Sequence, residues 1–203
     1  MVHLQQELRS KKKFAKFVSL ITHPPIISVP TFIIIILAFM SFTNSVGIII
    51  TCMIFGAVIP VFTSLVLIKK MGIDLDITDR TKRTLPLILA IISYIIGFLI
   101  LYFIKAPPVV TVLMLCYFTN TLIILFINFK WKISIHAMGI AGPTVALTYV
   151  FGFYGVFFGF LILLVMWSRV TLQKHTISQV LAGAFLGILL TAAQLNYIVP
   201  LIS

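Results

Sequence analysis

A 203-residue chain with 61% hydrophobic and only 9% charged residues is not a soluble globular domain, in which about 25% of residues are charged. The net charge of +11 would suit nucleic acid, but the basic residues sit in short segments beside apolar runs, as in the cytoplasmic loops of a membrane protein. The composition therefore implies a polytopic, all-α transmembrane helical bundle of about six or seven segments, with no second domain and no nucleic-acid partner.

Residues 1–25 read as a basic cytoplasmic N-terminal segment without a cleavable signal, and residues 26–203 as a single membrane domain. A crossing takes about 20 apolar residues. Ile26–Phe42 and Val46–Ile68 qualify, joined by a turn at Thr43-Asn44-Ser45. The polar loop Lys69–Thr84 holds Asp74, Asp76 and Asp79 with five basic residues. Leu85–Ile104 and Val109–Phe129 follow, separated by Lys105-Ala106-Pro107-Pro108. Lys130-Trp131-Lys132 marks an interface, with Trp131 as its aromatic anchor.

The apolar run Ala137–Trp167 has 31 residues, about 46 Å as one helix and too long for a core of about 30 Å. Gly152-Phe153-Tyr154-Gly155 interrupts it, which predicts a hairpin of two helices of roughly 14 residues. Ile177–Val199 is the last span. Cys52 and Cys116 lie inside apolar runs and read as small buried hydrophobes. His23, before Pro24-Pro25, reads as the entry to the first span, and His3 as part of a disordered end.

If each pair of spans returns the chain to one side, residues 1–25, 69–84, 130–136 and 168–176 share a face. That face collects 14 of the 15 Lys and Arg residues, all four His and all four acidic residues; Lys105 alone lies opposite. The positive-inside rule makes the shared face cytoplasmic and the protein a multi-pass protein of the cell membrane.

Three polar clusters converge there, within 69–86, 130–139 and 168–179. They are Asp79-Arg80-Thr81-Lys82-Arg83-Thr84-Leu85-Pro86, Lys132-Ile133-Ser134-Ile135-His136-Ala137-Met138-Gly139, and Ser168-Arg169 followed after five residues by His175 and then Gln179. Guanidinium groups grip phosphate oxygens bidentately, which suits Arg169 and Arg83, with Arg80 or Lys82 assisting. Histidine suits both nucleophilic attack at phosphorus and proton donation to the leaving oxygen. Gln179 lies one helical turn after His175, on the same face.

In order and spacing the clusters resemble the three motifs of the type-2 phosphatidic-acid phosphatase superfamily: Lys, six residues, Arg-Pro; Pro-Ser-Gly-His; and Ser-Arg, five residues, His, three residues, Asp. The third matches except that Gln179 replaces Asp. The second matches at Ser134 and His136, with Ile133 and Ile135 in place of Pro and Gly. In the first, Asp76 stands at the Lys position counted from Arg83, and the proline follows three residues after Arg83. The resemblance covers residues 69–199. It implies a metal- and cofactor-independent membrane phosphatase acting on a lipid phosphate or polyprenyl (di)phosphate. His175 would attack and become phosphohistidine, and His136 would protonate the departing alkoxide. Gln179 would orient His175 without supplying the family's negative charge, and Ser168, Arg169, Ser134, Arg83, Lys82 and Arg80 would bind phosphate. Alternatives are a phosphotransferase with the same histidine chemistry, a metal-dependent prenyl- or alcohol-phosphotransferase using Asp74, Asp76 and Asp79, and a non-catalytic lipid-binding scaffold or transporter.

Overall fold

The computed structural model describes residues 2–72, 77 and 79–203, without the side chains of residues 2–4 and Met71. Asp74, Asp76 and the side chain of His3 lie outside the described residues. Every regular element described is helical: α1 (Val2–Ile21), α2 (Pro24–Phe39), α3 (Phe42–Met53), a π-helical segment (Ile54–Val58), α4 (Ile59–Met71), a 3-10 turn (Thr81–Arg83), α5 (Thr84–Phe103), α6 (Pro108–Asn128), α7 (Ile135–Phe151), α8 (Phe153–Val156), α9 (Gly159–Thr171) and α10 (Ile177–Ile202). Five helical stretches are long and apolar enough to cross a membrane, or six if α1 and α2, bent by 49°, count as one. Outward faces are apolar, as hydrocarbon solvent requires; Phe103, Tyr197 and Leu201 are among the most exposed side chains.

The N-terminal segment is more than a basic tail. Ala15, Val18 and Ser19 share one face of α1 and are buried, packed against α9, where Phe14 meets Trp167 at a ring-centroid distance of 5.7 Å. Arg9, Lys11, Lys12, Lys13 and Lys16 are exposed. Such a helix, buried on one stripe and basic on another, suits a membrane interface.

The first turn differs from expectation. The break falls at Met40 and Ser41, both extended, and residues 43–45 begin α3. Polar residues that read as turn formers are equally at home in a first helical turn, where side chains satisfy local backbone groups; the Ser45 hydroxyl donates to the Phe42 carbonyl at 2.9 Å.

From Phe42 to Lys70 the chain is one 29-residue apolar stretch, with the π-segment at its middle. Pro60 has no N–H to offer the Gly56 carbonyl four residues back. Ser28 of α2 donates to that carbonyl at 3.3 Å, and Ser93 of α5 donates to the Phe55 carbonyl at 2.8 Å. Inside a membrane no water would do this, so two serines on neighbouring helices make the irregularity tolerable. Cys52 and Cys116 are buried free thiols in the same core.

The expected hairpin forms between α7 and α9. Gly152 adopts φ 60° and ψ −132°, a region that strains any residue with a Cβ. Gly155 lies so near the Thr148 backbone that a Cβ would sit 2.3 Å from it. At 17 residues α7 is longer than expected, about 26 Å at 1.5 Å per residue.

α10 runs parallel to α7 and touches it through glycines. A Cβ on Gly183 would lie 2.5 Å from the Ser134 carbonyl, and one on Gly187 would lie 2.8 Å from Ala141 Cβ. Small residues four apart let membrane helices approach this closely. Gly183→Ala is therefore expected to force α7 and α10 apart and destabilise the protein by about 2 kcal/mol. Thermal unfolding in detergent checks this; an unchanged midpoint would contradict the close approach.

Candidate active site

The clusters of one end are bonded to one another. The Lys132 ammonium donates to the Lys174 carbonyl at 2.8 Å, and the Ser134 N–H to the Gln179 carbonyl at 3.2 Å. Arg83 Nη1 donates to the Ile133 carbonyl at 3.4 Å. Ser168 and Arg169 bond to α1, and the rings of His23 and His136 meet edge to face at 5.1 Å. Residues 14–23, 80–83, 130–136 and 168–179 thus gather at one end of the bundle, as the pairing of spans predicts.

The spacing between Ser168-Arg169 and His175 has a local physical cause. α9 ends with Gln173 in the left-handed region at φ 55°. The Gln173 N–H donates to the Val170 carbonyl at 2.9 Å and the Lys174 N–H to the Arg169 carbonyl at 3.1 Å, the paired bonds of a Schellman cap. α10 then opens at once with a capping box: Thr176 Oγ1 accepts from the Gln179 N–H at 3.4 Å, and Gln179 Oε1 accepts from the Thr176 N–H at 3.2 Å. A C-cap followed immediately by an N-cap leaves His175 alone between two helix ends, and its N–H lies 3.4 Å from the Arg169 carbonyl.

Gln179 consequently does two things. Its Oε1 lies 3.1 Å from His175 Nδ1 as well as accepting from Thr176. The Thr176 N–H can only donate, so the atom facing it must be the amide oxygen, and the same oxygen can only accept from His175. Nδ1 therefore carries the proton, and the lone pair is on Nε2. Burial pushes the His175 imidazole down to about 3, reinforced by the positive charges of Arg83, Arg169 and Lys132, while the Gln179 bond opposes the shift. The ring is neutral near pH 7.

His175, His136, Arg83 and His23 line one end of a cavity of about 340 Å³. Arg83 is 4% exposed, and its Nε donates to the Ile77 carbonyl at 2.7 Å. A small turn delivers it: the exposed Asp79 carboxylate accepts from the Thr81 N–H at 3.0 Å and hydroxyl at 2.8 Å, bonds that hold its carboxyl below the usual range. His23 enters the site because Gly139 lets α2 and α7 nearly touch; a Cβ there would lie 2.6 Å from Pro24. His23 precedes α2 as its N-cap, and no local signal reveals its place in the cavity wall.

Other expected phosphate ligands are arranged differently. Ser168 is fully buried and donates to the Ala15 carbonyl at 2.7 Å; Arg169, also fully buried, donates to the Ser19 hydroxyl at 2.6 Å. Neither lines the cavity, although the charge of Arg169 reaches His175. Ser134 is buried as the N-cap of α7, its hydroxyl accepting from the Ala137 N–H at 3.3 Å. Arg80 bonds the Asn128 and Phe129 carbonyls at the end of α6, and Asn128 Nδ2 donates back to the Arg80 carbonyl at 2.8 Å. Lys82 is exposed. Lys132, outside the expected set, is one of the charges acting on His175.

Gln179→Ala should therefore lower catalytic rate about tenfold with little change in apparent affinity, because both tautomer and cap are lost. Gln179→Glu keeps the reach and the cap but adds negative charge, which raises the His175 pKa; its acid limb of activity should move to higher pH. Identical rates and pH profiles in all three proteins would remove residue 179 from the site.

Chemically, the end of the cavity presents a neutral histidine with a defined lone pair, two further imidazoles and the Arg83 guanidinium. The two described carboxylates, Glu7 and Asp79, are exposed, and no group of three or more metal-ligating side chains occurs among the described residues. No family model, curated protein or solved structure matches the chain.

Proposed function

We propose that the protein is an integral-membrane phosphatase of the type-2 phosphatidic-acid phosphatase superfamily, hydrolysing a lipid phosphate or polyprenyl (di)phosphate through His175. The observation that carries this reading is the His175 imidazole, fixed by Gln179 and buried in the wall of the cavity that Arg83 also lines, with apolar side chains of α2, α4 and α5 along the same wall. Arg83 binds the phosphate oxygens, while Arg169 and Lys132 add positive charge from behind. His175 Nε2 attacks phosphorus, an N–P bond forms, and the P–O bond to the lipid alcohol breaks. His136, held neutral in the free protein by burial and by the neighbouring positive charges, takes up a proton as the phosphate anion binds beside it and gives that proton to the leaving oxygen. It then takes a proton from water, which attacks phosphorus, breaks the N–P bond and returns His175.

An apolar groove between α2 and α4 supports entry of a lipid from the side. Pro25, Ile26, Val61 and Leu65 line both the groove and the cavity. A lipid could thus keep its tail in hydrocarbon while its phosphate reaches Arg83.

Purified protein in detergent is expected to release phosphate from phosphatidic acid, phosphatidylglycerophosphate or polyprenyl diphosphate. No release from any of them between about pH 5 and 8, the range in which histidines titrate, would end the reading. One observation favours a second reading, a non-catalytic lipid-binding relative: Ser168 and Arg169 are bonded to α1 rather than turned to the cavity. Tight binding of these lipids without turnover would select it.

The site is proposed to face the cytoplasm. A cysteine at the exposed Lys105, between α5 and α6, should react with an impermeant reagent added to intact cells, and one at the exposed Lys82 should not. The opposite result would put the site on the outer face.

A further inference from the structure

The cavity has a second polar end that the chemistry above does not use. Within the bundle, Asn120 Nδ2 donates to Thr191 Oγ1 at 3.0 Å, and Gln194 Nε2 donates to Asn120 Oδ1 at 3.2 Å. The Thr119 hydroxyl donates to Gln194 Oε1 at 2.7 Å. Asn120, Thr191 and Tyr117 line the cavity. The Tyr117 hydroxyl is buried and has no hydrogen-bond partner among the described residues.

We infer that this end is a subsite for a hydrogen-bond acceptor on the lipid, namely an ester carbonyl joining an acyl chain to the phosphate-bearing backbone. The network decides the sign. Its amide oxygens are already engaged, Asn120 Oδ1 by Gln194 and Gln194 Oε1 by Thr119. What it offers the cavity is donors: the Tyr117 O–H and the second hydrogen of Asn120 Nδ2. A buried donor without a partner is costly where no water is at hand, and a ligand oxygen removes that cost.

Depth agrees with such a ligand. A Cβ on Gly142 would lie 3.2 Å from Thr191 Oγ1, and Gly142 is six residues beyond His136 on α7, about 9 Å deeper at 1.5 Å per residue. A carbonyl a few bonds from phosphorus, held by the reach of the tyrosine ring, meets that span. A polyprenyl chain has only hydrocarbon there and leaves Tyr117 unsatisfied, so Tyr117 and Asn120 discriminate between the lipid classes admitted above. The inference rests on the phosphatase reading for what binds beside Arg83.

The test compares dioleoyl phosphatidic acid with its dialkyl ether analogue, which differs only in lacking the carbonyls. Binding is read from ligand-dependent thermal stabilisation in detergent and turnover from phosphate release. The native protein should bind the diacyl lipid about tenfold more tightly, and Tyr117→Phe should abolish that preference while leaving affinity for the ether lipid unchanged. Asn120→Asp removes the donors without changing volume and should lower the preference in the same way. Equal binding of the two lipids by the native protein, or an unchanged preference in Tyr117→Phe, overturns the subsite and leaves a buried water as the partner of Tyr117. Diacyl preference in binding without turnover of either lipid overturns the phosphatase reading while the subsite stands.

Discussion

Replacing His175 with Ala is expected to remove phosphate release by about 10⁴-fold or more, since a nucleophile has no substitute. Folding should survive, because the Schellman cap and the capping box on either side are made by other residues. A pH measurement separates the nucleophile from a merely buried ring. In the fold His175 titrates near 3, whereas an unfolded histidine titrates near 6.5. Below about pH 6.5 the unfolded chain therefore takes up a proton that the fold resists, and stability falls as pH drops toward 3. His175→Ala lacks that component, so its melting temperature should fall less between pH 7 and pH 5 than that of the native protein. An active His175→Ala protein would eliminate the mechanism; a native pH slope in the variant would show that the imidazole is not held neutral.

Arg83 should give the second largest loss. Its guanidinium is the arginine that lines the cavity, and removing a preorganised donor from developing phosphate charge costs about 10²–10³-fold in rate. Arg83→Lys keeps the charge but not the planar fork and should fall between native and Arg83→Ala. Since Arg83 also bonds the Ile77 and Ile133 carbonyls, rates need to be taken per folded molecule. The neighbours supply the contrast: Lys82→Ala should leave the rate unchanged, and Arg80→Ala should lower stability by freeing the end of α6 while rate per folded molecule persists. If Lys82→Ala costs as much as Arg83→Ala, the phosphate lies outside the cavity.

Much of this organisation is legible in the chain. Gly152 announces the hairpin because its backbone region is open to little else, and Thr176-Ile177-Ser178-Gln179 carries the spacing of a capping box. The gathering of basic residues at one end follows from pairing the spans. What could not be read depends on contacts between distant segments. His23 enters the site through the approach of Pro24 to Gly139, and nothing near residue 23 records it. Ser168 and Arg169 look like ligands by spacing, yet their partners are Ala15 and Ser19, some 150 positions earlier. The misplaced first turn has a different origin: Thr43, Asn44 and Ser45 serve a helix start as well as a loop, so composition could not choose.

The bonds from α1 to α9 change what the N-terminus is. A segment whose backbone carbonyl at Ala15 and hydroxyl at Ser19 bond the residues leading into His175 is a keystone: remove it, and the fully buried Ser168 and Arg169 each lose a hydrogen bond. Trimming the first twenty residues removes both of these contacts, made some 150 positions before the cap that positions His175. The Ala15 contact is made by its backbone carbonyl, so what limits variation at position 15 is the buried space, whereas at position 19 it is the hydroxyl itself.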